Sequence, residues 1–208
     1  MTDPVVTVRG EAVVAGRPDE GIWTVEVTRQ DSGASSALAE VATRSQALES
    51  LFDELGIPPA KRATSGVTVH EEFDYVDGKQ AHRGFRATNS VVVRVADSSV
   101  AATLVEQAVT RAGASVQGPT WYVAPDNPAR LDACRGAAEE ARRKAEAYAL
   151  ALGLHLGAVS EIREAQEGTG VLPLGGMLRA TSMEASVPVD SGDLSIVARV
   201  DVTFRLAD

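Results

Sequence analysis

The segment LDACRGAAEEARRKAEAYALAL, Leu131 to Leu152, decides how the chain is read. Leu131, Cys134, Ala138, Ala141, Ala145, Tyr148 and Leu152 recur at alternating steps of three and four residues. That spacing sets them on one face of an α-helix. Asp126, Asn127 and Pro128 are start signals and Gly153 is a stop, so a helix is predicted over 127–153. Its other faces carry Glu139, Glu140, Arg142, Arg143, Lys144 and Glu146, with Glu139–Arg143 and Glu140–Lys144 in the favourable i,i+4 order. The middle of the predicted seam is alanine, which lets a neighbour approach closely. Gly153 to Val159 then turns into a strand.

Strand and helix signals continue on both sides. Val5–Val14 alternates, with Val6, Val8, Ala12 and Val14 on one face. Gly21–Gln30 follows, with Trp23, Val25 and Val27 inward. Ser35 or Ser36 can cap a helix whose seam is Leu38, Val41, Ser45, Leu48, Phe52 and Leu55, ended by Gly56 and Pro58-Pro59. Thr64–Tyr75 and His82–Val95 read as a hairpin across Asp77-Gly78. A helix opens at Ser98 or Ser99 and closes at Gly113, and strands are expected at Ser115–Val123, Leu156–Glu164 and Leu194–Leu206. The order is β-β-α-β-β-α-β-α-β-β, an α+β class with antiparallel sheets and helices packed on one face. Inside it lies a ferredoxin-like β-α-β-β-α-β unit. Residues 19–124 are therefore expected as one domain. Residues 1–18 and 125–208 are expected as a second α+β domain built from both termini.

Two blocks carry a family likeness. EEARRKAEAYALALGLHLGAV (Glu139–Val159) resembles the long helix and following strand of the SIMPL-domain family. TSGVTVHEEFDYVDGKQAHRGFRATNSVVVRV (Thr64–Val95) resembles that family's central hairpin, with its Gly-aromatic-x-Ala-x-Asn segment at Gly84, Phe85, Ala87 and Asn89. The order of elements and the Pro/Gly-rich segment before the last strand also match. The resemblance implies an α+β fold and a link to oxidative-stress defence in bacteria. It implies no particular reaction, and it points to members that are usually secreted or periplasmic.

The 208 residues are 44% hydrophobic, enough for a real core. A net charge of −9 disfavours a nucleic-acid binder, which needs a basic face. The same charge disfavours docking on anionic membranes. No apolar run reaches the ~18 residues that cross a bilayer, so no membrane insertion is expected. The single cysteine, Cys134, excludes an intramolecular disulfide. The opening residues Met1–Val8 have no basic and apolar leader pattern, so a cytoplasmic protein is expected.

Candidate chemistry is sparse. His70, Glu72 and Asp74 share one strand face, yet residues in line along a strand stand ~6–7 Å apart and rarely converge on one ion. Cys134 lies early in the long helix beside Arg135, which favours a thiolate. Its place on the apolar seam instead suggests a small core residue. Asn89 shares a face with apolar neighbours and needs a partner such as a clamp on a neighbouring loop. Nucleophile elbows, phosphate loops and dinucleotide fingerprints are absent from the sequence. No catalytic, metal or cofactor residue is assigned.

Gln166–Gly192 is long for a structureless connection, and such loops are often functional. Its apolar residues Val171, Leu172, Leu174, Met177, Leu178 and Met183 are the expected interface. The resulting expectation is a non-enzymatic module that self-associates or binds an unidentified protein partner, in oxidative-stress defence. Two alternatives stand beside it. One is a hydrolase using Glu71, Glu72 or Asp74 in a cleft with raised pKa values. The other is a small-molecule binding protein with a pocket formed by Trp23, Phe85, Trp121 and Tyr122.

Overall fold

The structure, a computed structural model, describes residues 4–76, 79–165, 170–173 and 189–208. The expected turn Asp77-Gly78 lies outside them. The fold is α+β. Contacts between Cα atoms divide the chain into two compact units. The mid-chain unit holds residues 20–122 with 189–190, and the terminal unit holds 4–19, 123–165, 170–173 and 191–208.

The mid-chain unit runs β2 (Glu20–Asp31), α1 (Ala34–Glu54), a 3-10 turn (Pro59–Lys61), β3 (Arg62–Val76), β4 (Lys79–Val95), α2 (Ser98–Ala112) and β5 (Ser115–Tyr122). Its sheet order is β3-β4-β2-β5, antiparallel throughout. Alternation in β2 buries Trp23, Val25 and Val27, set against Val91 and Val93 of β4. Helical spacing does the same for Val41, Leu48 and Phe52 on α1 and for Ala101, Leu104 and Ala108 on α2. Each fully buried large side chain of this core contributes roughly 1.5–3 kcal/mol. The α1 seam departs from expectation in that Leu38 is exposed and Leu51 is buried. The start of α1 differs too. Gly33 is its N-cap, without a side-chain cap, whereas Ser35 and Ser36 lie inside the helix. Asp97 caps α2 by accepting from Ser99 N (2.7 Å) and Val100 N (3.3 Å), and Gly113 ends it in the left-handed conformation.

The terminal unit contains β1 (Val5–Gly16), α3 (Pro128–Ala151), β6 (His155–Glu164), β7 (Gly170–Pro173) and β8 (Leu194–Ala207). Its sheet order is β1-β8-β6, and β7 also pairs with β8. The stretch 166–192 is thus not wholly irregular, since β7 pairs with Leu194–Val197 at the start of β8. Asn127 fixes the start of α3. Its Oδ1 accepts from Ala129 N (2.9 Å), and its Nδ2 donates to Asp19 (2.9 Å) and to the Arg17 carbonyl (3.3 Å).

The buried face of α3 is not the predicted seam. It is the ridge Ala133, Ala137, Ala141, Ala145 and Ala149, spaced strictly by four. Only Ala141 and Ala145 belong to both. Leu131, Cys134, Tyr148 and Leu152 are exposed, the last two by 57% and 71%. The cause lies in β1. A Cβ placed on Gly10 would overlap the Ala137 carbonyl oxygen and stand 2.7 Å from Ala141 N. One placed on Gly16 would meet Ala129 Cβ at 2.5 Å, and one on Gly136 would meet Ala12 Cβ at 2.9 Å. Helix and strand backbones are almost in contact, and only methyl groups and hydrogens fit between them. Bulkier Leu131 and Tyr148 are excluded from that face by size.

Replacing Gly10 with alanine is therefore expected to cost at least about 2 kcal/mol by overpacking, read as a lower chemical-denaturation midpoint. Gly66→Ala, at a strand site with nothing within 4 Å of its missing Cβ, serves as the control and is expected to stay close to the parent. Equal midpoints for the two variants would refute the close-contact account.

Candidate interaction surface

Strand edges are the natural place to begin, because an edge presents unpaired N–H and C=O groups. In the terminal unit β1 is one edge of the sheet and β6 the other. The two are treated differently. At β1, α3 reaches over the edge. Glu140 Oε2 accepts from the Glu11 backbone N–H, and Lys144 Nζ donates to the Arg9 carbonyl (3.0 Å). Lys144 and Glu140 also pair with each other at 3.1 Å, in the i,i+4 arrangement seen in the sequence. One outward donor and one outward acceptor at mid-strand are thereby satisfied by helix side chains.

No such cover is present at β6 among the described residues, and no strand pairs with its outer side. Two register shifts, at Leu156/Val159 and Val159/Glu161, break its alternation. Val159 and Ile162 are exposed, Ile162 by 65%. The last turns of α3, which lead directly into β6, expose Tyr148, Leu150 and Leu152 as well. Glu161 and Arg163 flank Ile162 and pair at 2.6 Å.

The residues singled out in the sequence fare unevenly. Val171 and Leu172 lie in β7, with their backbones opposite Ile196 and Ser195. Leu174, Met177, Leu178 and Met183 lie outside the described residues. Cys134 is exposed, so the core-residue reading is overturned by the turn of the helix described above. Asn89 does find a clamp, but on a helix and not a loop: its Nδ2 donates to Ser45 Oγ on α1 at 2.8 Å.

The β3–β4 hairpin is exposed on both of its sides. Val67, Val69, Phe73 and Tyr75 are exposed along with the polar side. For Phe73 and Tyr75 the reason is length: pairing of β2 with β4 ends at Asp31 and Phe85, while β3 and β4 continue past it. His82 sits between Phe73 and Phe85, with ring centres 5.6 and 5.4 Å away. Glu72 is engaged by Arg86, and Asp74 by Arg83 at 3.3 Å. The Arg86 hydrogen bond holds the Glu72 carboxyl below the usual range, the opposite of what a general acid needs. Glu71 and Asp74 are splayed into solvent, so these residues do not form the cleft of the hydrolase alternative. Of the four aromatics, Trp23 and Trp121 line a common cavity, whereas Tyr122 lies under the Arg94 guanidinium at 5.3 Å and Phe85 meets His82 edge to face. No group of three metal-binding side chains converges among the described residues. No helix among them is long and apolar enough to cross a membrane.

Two antiparallel sheets, one carrying α1 and α2 and the other α3, define an α+β protein. The chain belongs to the SIMPL family, described as "Protein of unknown function (DUF541)", which matches residues 6–204. Among curated relatives it is 27% identical over 215 residues to the "26 kDa periplasmic immunogenic protein" of Brucella melitensis, covering 97% of this chain and 84% of that one. The protein of the same name in Brucella abortus matches to the same extent. "Uncharacterized protein YggE" of Escherichia coli K12 is 22% identical over 205 residues, covering 98% and 83%. These relatives overturn the cytoplasmic expectation, because the Brucella proteins are named as periplasmic. A leader is removed on export, so a sequence without one is silent about the compartment.

The β1 latch has a pH signature. The Glu11 N–H, and after it Lys144, hold the Glu140 carboxyl below its ordinary 4.5. A carboxyl depressed in the folded state stabilises fully above its unfolded value and loses that contribution as pH falls through the folded value. The parent is thus expected to lose melting temperature on acidification below 4.5, and Glu140→Gln to lose less over the same interval. Parallel pH profiles for the two proteins would show that the latch adds nothing.

Proposed function

We propose that this SIMPL-family chain is a non-enzymatic module of the periplasm that associates with a second copy of itself through β6. The carrying observation is the contrast between edges: β1 is latched by Glu140 and Lys144, while among the described residues no strand pairs with the outer side of β6, which exposes Val159 and Ile162. Its sequence suits self-pairing. An antiparallel twofold centred on Ile162 sets Ile162 against its own copy and Glu161 against Arg163 of that copy, in both directions. Exposed Val159 adds apolar area beside that axis, and one protomer's charges meet their complements. Val171, Leu172, Leu174, Met177, Leu178 and Met183 are proposed, on their sequence alone, to extend the surface.

The sheet order β3-β4-β2-β5 with α1 and α2 in one core supports a ferredoxin-like reading of residues 19–124. The division into two units supports a second domain built from both termini. The periplasmic setting is supported by the names of the Brucella relatives. Oxidative-stress defence is supported by the family resemblance. It predicts that a deletion strain survives peroxide less well than its parent; equal survival would remove the stress role.

Light scattering on a size-exclusion column tests the association. The parent is expected to run as a defined oligomer. Ile162→Lys, which sets two like charges opposite each other, is expected to shift it to monomer with unchanged circular dichroism. A parent that is monomeric at every accessible concentration, or an oligomer indifferent to Ile162→Lys, would overturn the proposal.

A further inference from the structure

β3 is the outer strand of its sheet, and among the described residues no strand pairs with its free side. At 15 residues it is long for an edge, since exposed edges are normally kept short, bent or guarded by charge. Its alternation is unbroken from Val67 to Tyr75, because the register shift beyond Glu72 places the extra residue, Arg83, on β4. Val67, Val69, Glu71, Phe73 and Tyr75 therefore line one face. Val67 and Val69 stand opposite Asn89 and Ala87, and Ala87 is fully buried, so this is the face that β4 turns to the core. β3 carries that face outward as an exposed apolar stripe. Phe85, opposite Glu71, packs against the core and is linked edge to face through His82 to Phe73, which braces the aromatic part of the stripe.

The acids on the two faces of β3 are treated differently. Glu72 and Asp74, on the far face, are matched by Arg86 and Arg83. Glu71, in the middle of the apolar stripe, has no ion pair or side-chain hydrogen bond among the described residues. An unmatched carboxylate between Val69 and Phe73 is complementary to a cation set between two apolar groups. It also disfavours a second copy of the strand. Antiparallel pairing centred on Glu71 would set Glu71 against Glu71, and like charges directly opposite destabilise a strand pair.

We propose that β3 is a docking edge for an extended segment of another polypeptide, one that carries an arginine flanked at alternate positions by apolar residues. The segment adds a strand to the free side of β3, and its main chain pairs with the unused groups of that side. Its arginine meets the Glu71 carboxylate beside the Phe73 ring, and its apolar residues cover Val69 and Phe73. This edge belongs to the mid-chain unit and β6 to the terminal unit, so the docking and the self-association stand or fall separately.

The peptide acetyl-SVSRSVS-amide is the probe. Its two valines and its arginine share one strand face, and the sequence reads the same in both directions, so either strand polarity offers the same pattern. Acetyl-SVSESVS-amide is the charge-reversed control. Titration of the intact protein, followed by amide NMR shifts, is expected to show saturable binding of the arginine peptide with a dissociation constant of about 1 mM or lower. The glutamate peptide is expected to bind at least about fivefold more weakly, since it replaces an opposite charge at Glu71 with a like one. Hydrogen exchange should slow in β3 on binding and stay unchanged in β6. Glu71 is exposed, so Glu71→Lys is expected to fold as the parent does and to reverse the order of the two peptides. Ile162→Lys should leave both affinities unchanged. A parent that binds neither peptide, or binds both equally, overturns the proposal without relying on any variant. Protection confined to strands other than β3, or a preference for arginine that survives Glu71→Lys, overturns it too. A peptide-free native mass that changes with Glu71→Lys would assign the edge to a second copy of the chain and overturn it as well.

Discussion

Much of the terminal unit depends on one constraint: α3 and β1 approach each other until only hydrogens and methyl groups fit between them. Alanine buries little apolar area per residue, so this contact gains more from density than from side-chain size. Gly10 and Gly16 on the strand, and the ridge from Ala133 to Ala149 on the helix, are two halves of one surface. Seated this close, α3 brings Glu140 and Lys144 within reach of the outward backbone groups of β1. The latch is thus a by-product of the packing. The helix covers the β1 side of the sheet, and among the described residues no strand pairs with β6 at the far side.

The mid-chain unit solves the same problem in another way. Its sheet and two helices meet through Trp23, Leu48, Phe52 and Leu104, side chains large enough to keep backbones apart and fill the space between. Large residues meeting at a distance leave irregular corners, and the cavity beside Trp23 is one of them. The alanine interface has no room for such a corner.

This contrast explains what could be read from the sequence. Strands β2 and β8 were legible because one face is apolar and the other polar, and period two leaves little choice. The ends of α2 were legible because Asp97 and Gly113 act through their own backbone neighbours. The seam of α3 was not. Alanine populates most of its faces, so periodicity selects the stripe with the bulkier Leu131, Tyr148 and Leu152, whereas the true stripe is chosen by glycines more than a hundred residues away. Cys134 was misplaced by the same error. The exposure of Phe73 and Tyr75 depends on where β2 stops, which β3 itself does not encode. Likewise, Val159 and Ile162 mark a strand, but only the sheet order reveals that its outer side has no neighbour. The cavity shared by Trp23 and Trp121 needs β2 and β5 brought side by side, and no local pattern announces it.

The placement of the two tryptophans has a practical consequence for anyone following this protein's folding. Trp23 and Trp121 both belong to the mid-chain unit, and the terminal unit has none among its described residues. Emission from indole therefore watches half of the molecule. The alanine-packed half can melt or reassemble unseen, and its only described aromatics are Tyr148 and Phe204. A fluorescence transition that lags or leads the far-ultraviolet dichroism would be the optical shadow of two units unfolding on their own schedules.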